Sequence, residues 1–262
     1  MKVAITIILA VVGLVAYLFL NVLIRRMVAG VRSREDYDED VDGTMTDEEK
    51  QASEEAKVVE LEKKKIGFGE TKKEYGARMY AVAILGAALS GLVGWFFGLT
   101  PEVLIYFVFF ALLTMIALID LDTMEIPPVL NAIILGLGII SIFTTPEITI
   151  VQRLVGFICI SGFMFLVNLI VNGAFGGGDI KLMAAAGFLL GWKGVLSAFL
   201  IGIFVGAAVG IVLIARRKKG GKEHIPFGPS LCVGLVAASI LGGMLIDWYL
   251  GMAKSMAHYS SY

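Results

Sequence analysis

The chain has 262 residues, 58% of them hydrophobic, and a mean hydropathy of +0.84, too apolar for an ordinary soluble domain. Its formal net charge of −1 leaves no bulk electrostatic case for nucleic acid as a partner. The two cysteines, Cys159 and Cys232, stand singly in apolar runs, so neither a metal site nor a disulfide framework is expected and both read as small core residues.

A spanning helix needs roughly 20 mainly apolar residues, and the chain supplies such runs repeatedly. Residues 1–24 carry one charge, Lys2. The run is too long for a signal-peptide core, no small-residue cleavage site follows, and Arg25 and Arg26 come directly after it, so it reads as a retained anchor. A polar insert, residues 25–78, comes next. Residues 33–43 (SREDYDEDVDG) are acidic without apolar periodicity and read as a disordered linker. Thr46-Asp-Glu-Glu49 fits a capping box, and the Glu-to-Lys spacing over residues 47–65 predicts a solvated helix.

Beyond the insert, residues 79–99, 103–119, 129–145, 154–174, 194–215 and 230–246 are free of charge, and a shorter apolar run, 182–192, follows a glycine-rich loop. The expected fold is all-α: a polytopic membrane helix bundle of about eight transmembrane helices in contact with the lipid bilayer, with a polar cytoplasmic insert. Its expected divisions are the anchor (1–24), an insert partly disordered and partly helical (25–78), the membrane-embedded bundle (79–251) and an extracytoplasmic tail (252–262).

Charge is segregated along this plan. Residues 31–75 hold 15 of the 23 acidic side chains, which leaves only Glu102, Asp120, Asp122, Glu125, Glu147, Asp179, Glu223 and Asp247 elsewhere. With the insert in the cytoplasm and sides alternating through eight spans, 18 basic residues are cytoplasmic and four (Lys2, Arg153, Lys193 and Lys254) lie opposite. The positive-inside rule then places both termini outside. Asp120, Asp179 and the turn Pro226-Phe-Gly-Pro229 fall on the cytoplasmic side.

A carboxylate at the end of an apolar helix is expensive to bury and is a functional candidate for that reason. Asp120 ends the charge-free run 103–119 and opens Asp120-Leu-Asp-Thr-Met-Glu-Ile-Pro127; Asp179 closes Gly176-Gly-Gly-Asp179 before Ile180 and Lys181. Three glycines allow close backbone approach at a loop-to-helix junction. Asp179 could equally be a helix N-cap, and Asp120, Asp122 and Glu125 could be interface residues at a helix end. Lys181 could pair with an acid or simply extend to the membrane surface.

The pattern resembles the type IV prepilin peptidases of the GxGD aspartyl protease group. Leu20-Asn-Val-Leu-Ile-Arg25 is similar to the family's motif at the end of the first span, and Asp120 lies seven residues before Pro127 as in the first-aspartate motif. Gly176–Asp179 followed by Lys181 is similar to GxGD-x-K, and Ile225-Pro-Phe-Gly-Pro229 resembles the turn entering the last helix. The resemblance implies that Asp120 and Asp179 are a catalytic dyad, with Gly176, Gly178, Lys181, Pro226, Phe227, Gly228 and Pro229 binding substrate or shaping the site. Two carboxylates sharing a site cannot easily both ionise, so one would activate water while the other polarises the scissile carbonyl. Asp122 is the rival for the first position. Residues two apart on a helix point about 200° from each other, so only one can face Asp179, and the spacing to Pro127 favours Asp120.

The substrate implied is a prepilin or pseudopilin, a basic leader followed by a hydrophobic helix, cut at the cytoplasmic face without a cofactor. Residues 35–42 could attract that leader electrostatically. Many family members also carry paired CxxC motifs after the first span and N-methylate the new amino terminus. Here no cysteine precedes Cys159, so that metal region has no counterpart, and a methyltransferase step, which would use S-adenosylmethionine, is in question. The competing readings are a related GxGD protease (preflagellin peptidase or presenilin-like) and an acid-pair transporter. The Asp120-to-Pro127 spacing and the Pro226–Pro229 turn favour the prepilin group, and a transporter predicts repeat symmetry that the sequence lacks.

Overall fold

In lipid, a chain must satisfy its backbone polar groups internally, and apolar runs of this length do so as helices. A computed structural model describes residues 2–40, 68–171, 173–215 and 226–241, apart from the side chains of residues 32–40, 68–75 and 214. Its helices are α1 (Lys2–Asp40), α2 (Phe68–Phe97), α3 (Glu102–Thr123), α4 (Pro128–Thr144), α5 (Ile150–Ile170) and α6 (Gly177–Ala215), followed by the shorter α7 (Gly228–Leu241). There is no strand among the described residues. The protein is an all-helical, multi-pass membrane protein: α1, α2, α3, α5 and α6 are long and apolar enough to cross a membrane, and α4 and α7 are apolar but shorter.

α6 is two helical pieces joined at Gly191, whose φ of 71° and ψ of 174° break the helix. The break falls near the end of the run 182–192, just ahead of the run 194–215. Every apolar run of the sequence is therefore helical as far as it is described, and among the described residues five helices meet the length expected of a span, against about eight expected.

Helix ends depart from the charge-free runs. α1 continues to Asp40, through residues that composition assigns to a linker. No glycine or proline intervenes after Gly30, and adding residues to a formed helix is cheap compared with starting one. α2 begins at Phe68, well before the run 79–99. The expected helix at 47–65, the basic segment 216–222 and the tail 252–262 lie outside the described residues.

The chain divides into two compact units, Met1–Gly98 with Asp122–Glu125, and Leu99–Leu121 with Ile126–Tyr262. In the first, α1 packs along α2. The buried Asn21 amide donates to the Tyr17 carbonyl (2.7 Å) and the Met79 carbonyl (3.5 Å). Arg78 grips Asp122 through two bonds of 2.9 and 2.8 Å.

In the second unit α4 and α5 both pack on α6. α5 and α6 touch backbone to backbone where Gly156 meets Gly187, since a Cβ on either would collide with the other's carbonyl. The outward faces are apolar, with Phe143, Ile170 and Phe204 each at least 74% exposed, as expected of a lipid-facing surface.

Arg153, counted above with the extracytoplasmic surface charges, is fully buried. Its Nη1 donates to Ser141 Oγ (2.6 Å) and to the carbonyls of Phe188 (3.2 Å) and Leu189 (3.1 Å). Its Nη2 donates to the carbonyls of Ser141 and Thr145 (both 3.1 Å) and to Thr145 Oγ1 (2.6 Å). These carbonyls belong to the end of α4 and to the turn of α6 before Gly191, where backbone acceptors lack intrahelical donors. The guanidinium closes both gaps.

Candidate active site

The site belongs wholly to the second unit and draws on the end of α3 and the starts of α4, α6 and α7. α3 stops at Thr123, where Met124 turns to a left-handed φ of 54°, and Pro127 and Pro128 keep the helix from resuming before α4. Asp120 lies in its last turn and is buried. Its Oδ2 accepts a hydrogen bond from the Gly228 backbone N–H at 3.1 Å. Gly228 opens α7, where N–H groups lack intrahelical acceptors and favour a negative charge. A Cβ at Gly228 would lie 2.6 Å from Asp120 Oδ2, so glycine is what permits the approach.

Asp179 is the third residue of α6 and is also buried. It is not the N-cap. Its carboxylate reaches back to a backbone hydrogen bond from Gly176, the arrangement of the acidic residue in a capping box. Oδ1 of the same carboxylate has no hydrogen-bond partner among the described residues. Asp120 lies near enough for its charge to bear on Asp179, so the fold places the two acids in one site despite their mutual repulsion.

Asp122 takes no part in this pairing, being held by Arg78. Lys181 is exposed, on the side of α6 away from Asp179, and has no ion pair among the described residues. Phe227 stacks at 5.9 Å from Phe175, which lies 6.3 Å from Phe199, a row of rings beside the turn. Pro226 and Pro229 are half-buried in that turn. Gly178 lies under Ile126, so close that a Cβ there would come within 2.8 Å of the Ile126 Cβ.

Two neighbours of the pair have no site role in the sequence reading, where Cys232 stands only as a small core residue. Cys232, one turn into α7, is buried and feels the charge of both Asp120 and Asp179. Asn131, buried in the first turn of α4, donates its amide to the Gly178 carbonyl at 3.3 Å. The available signal was that Asn131 is the one carboxamide in the charge-free run 129–145.

Two carboxylates in a shared, largely dehydrated site, each steadied by a glycine N–H, can hold one proton between them and act as an acid–base pair. Carried on apolar helices, they have the layout of a membrane-embedded peptidase of the carboxylate-pair class. Comparison with known proteins agrees. Residues 107–211 match the type IV leader peptidase family. The prepilin leader peptidase/N-methyltransferase of Bacillus subtilis (strain 168) is 32% identical over 178 residues, 67% of this chain and 71% of that protein. Proteins of the same name from Legionella pneumophila and Pseudomonas aeruginosa are each 30% identical, over 68% and 70% of this chain and 63% and 64% of theirs. The chain thus belongs to the type IV leader peptidase family, and spans about two thirds of the length of these relatives. No solved structure matches it.

Proposed function

We propose that this protein is a membrane aspartyl endopeptidase that removes the basic leader from prepilins or pseudopilins at the cytoplasmic face of the membrane, with Asp120 and Asp179 as its catalytic pair. The observation that carries the reading is the pairing itself: two buried acids, 59 residues apart in sequence, interact in one site while Asp122 is tied to Arg78. The ionised member of the pair takes a proton from water, which attacks the scissile carbonyl. The protonated member polarises that carbonyl and then protonates the leaving amine. Because the two acids share the proton, they titrate as a unit.

The names of the relatives include N-methyltransferase activity, which would call on S-adenosylmethionine. The cavity that the structure describes, about 270 Å³, is bordered by Tyr106, Glu147, Trp192 and Lys193. Tyr106 precedes Asp120 by 14 residues on α3, about 21 Å at the helical rise, and Gly191 follows Asp179 by 12 on α6. A methyl donor bound there would not reach an amine released at the pair. That cavity does not fit the role.

The test is co-expression with a prepilin, comparing the wild type with Asp120→Asn and Asp179→Asn. Loss of cleavage in both, by about 10²–10⁴-fold, is expected when a general acid–base group is removed. Persistent cleavage in either would overturn the assignment of the pair.

A further inference from the structure

Asp179 follows three successive glycines, and two of them, Gly177 and Gly178, form the first turn of α6, where glycine gives a helix start little side-chain restraint. A carboxylate that must hold water and substrate in a fixed geometry needs its support anchored, and displacement by about 1 Å can cost on the order of 10²-fold in rate. The anchoring comes from the segment that follows Asp120. Ile126 lies against Gly178, and the Asn131 amide donates to the Gly178 carbonyl at 3.3 Å. That carbonyl belongs to the peptide that joins Gly178 to Asp179. Because the acceptor is a carbonyl, the amide must present its nitrogen.

Asn131 does not serve its own helix in any visible way. The start of α4 has Pro127 at its cap position and no side-chain cap bond. The amide instead crosses 47 residues of sequence to reach Gly178. Its Oδ1 is buried and has no hydrogen-bond partner among the described residues. A carboxamide buried with half of its bonding capacity unmet opposes stability, so an apolar residue of similar shape would serve the fold at least as well. Gly177, the first residue of α6, has room for a side chain: a Cβ there would meet nothing within 4 Å, and its φ is not positive.

We propose that Asn131 is a positioning residue of the peptidase site, holding the Gly178–Asp179 peptide so that Asp179 stays in register with Asp120. The inference rests on the functional reading given above. It ties the first turn of the helix that follows Asp120 to the first turn of the helix that carries Asp179, so the two halves of the pair are set by one contact.

The experiment uses the purified full-length protein in detergent with a prepilin substrate, and compares Asn131→Leu, Asn131→Ala, Gly177→Ala, the double variant Asn131→Ala/Gly177→Ala, and Asp179→Asn. Expected for both Asn131 variants is a kcat lower by about 10- to 100-fold, with KM within about twofold and an unchanged or higher thermal midpoint. Gly177→Ala narrows the backbone freedom that Asn131 otherwise restrains, and should restore kcat of the Asn131→Ala variant by about two- to fivefold. A wild-type kcat in Asn131→Leu would overturn the inference. So would a loss that follows a falling midpoint and is not relieved by Gly177→Ala. Cleavage by Asp179→Asn would overturn instead the reading of the pair on which the inference depends.

Discussion

Gly228 has two duties at one atom: it opens α7, and its N–H holds Asp120. Alanine there would place a Cβ 2.6 Å from Oδ2 and 2.9 Å from Cγ of that carboxylate, so the acid or the turn must move. Gly228→Ala should lower cleavage by about 10²-fold, with helical content by circular dichroism unchanged; cleavage near wild type would show that the turn does not set Asp120. Asp122→Asn is the contrasting case. The ion pair with Arg78 is part-exposed, with side chains 33% and 18% accessible, and is worth at most about 1 kcal/mol. Cleavage by that variant should stay within about twofold of wild type in the same assay. The two catalytic candidates were legible because an acid in an apolar run has no inexpensive structural use. Asn131 and Cys232 were far less so, because a small polar or sulfur side chain fits an apolar helix at little cost, and standing alone of its type in a run is a weak signal. Only the distance from Asn131 to Gly178 separates it from a bystander.

At the scale of elements, hydrophobicity located the helices but misplaced their ends, because a charge was read as a terminus. Arg153 shows why. It lies in the first turn of α5, which starts at Ile150 under a capping box of Thr149 and Gln152, four residues before the charge-free run. The pattern Thr149-Ile-Val-Gln152 was present to be read, but burial of a guanidinium among carbonyls of α4 and α6 depends on chain segments that meet only in the fold. Hydrogen bonds from a charged donor are worth about 1.5–3 kcal/mol each where their loss leaves buried acceptors unmet. Arg153→Leu should therefore destabilise the protein by at least about 3 kcal/mol, read as a lowered thermal midpoint in detergent. Arg153→Lys should recover only part of that, since three donors on a point charge cannot span both helix ends. A midpoint unchanged in either variant would mean that the break at Gly191 is held by packing alone.

Across the whole molecule, substrate and orientation are linked through charge. With Arg153 consumed inside the bundle, the basic residues assigned to the outer side on the eight-span plan fall to three, Lys2, Lys193 and Lys254, against 18 on the other, and the positive-inside rule still favours the proposed orientation. On that proposed orientation a basic leader would be presented on the side that also carries the acidic residues 35–42. Deleting 35–42 should slow prepilin processing at low salt and leave it unchanged at high salt, because exposed charges act over about 10 Å at 0.1 M; equal processing at low salt would remove that role. The orientation itself is open to direct measurement. In a background with Cys159 and Cys232 replaced, single cysteines at Thr100 and Glu147 should react with an impermeant maleimide in intact cells. Cysteines at Ala56 and Lys219 should react only after the membrane is opened. Labelling in the reverse order would put the pair on the outer face, away from any leader that is still cytoplasmic, and the peptidase reading would have to find its substrate elsewhere.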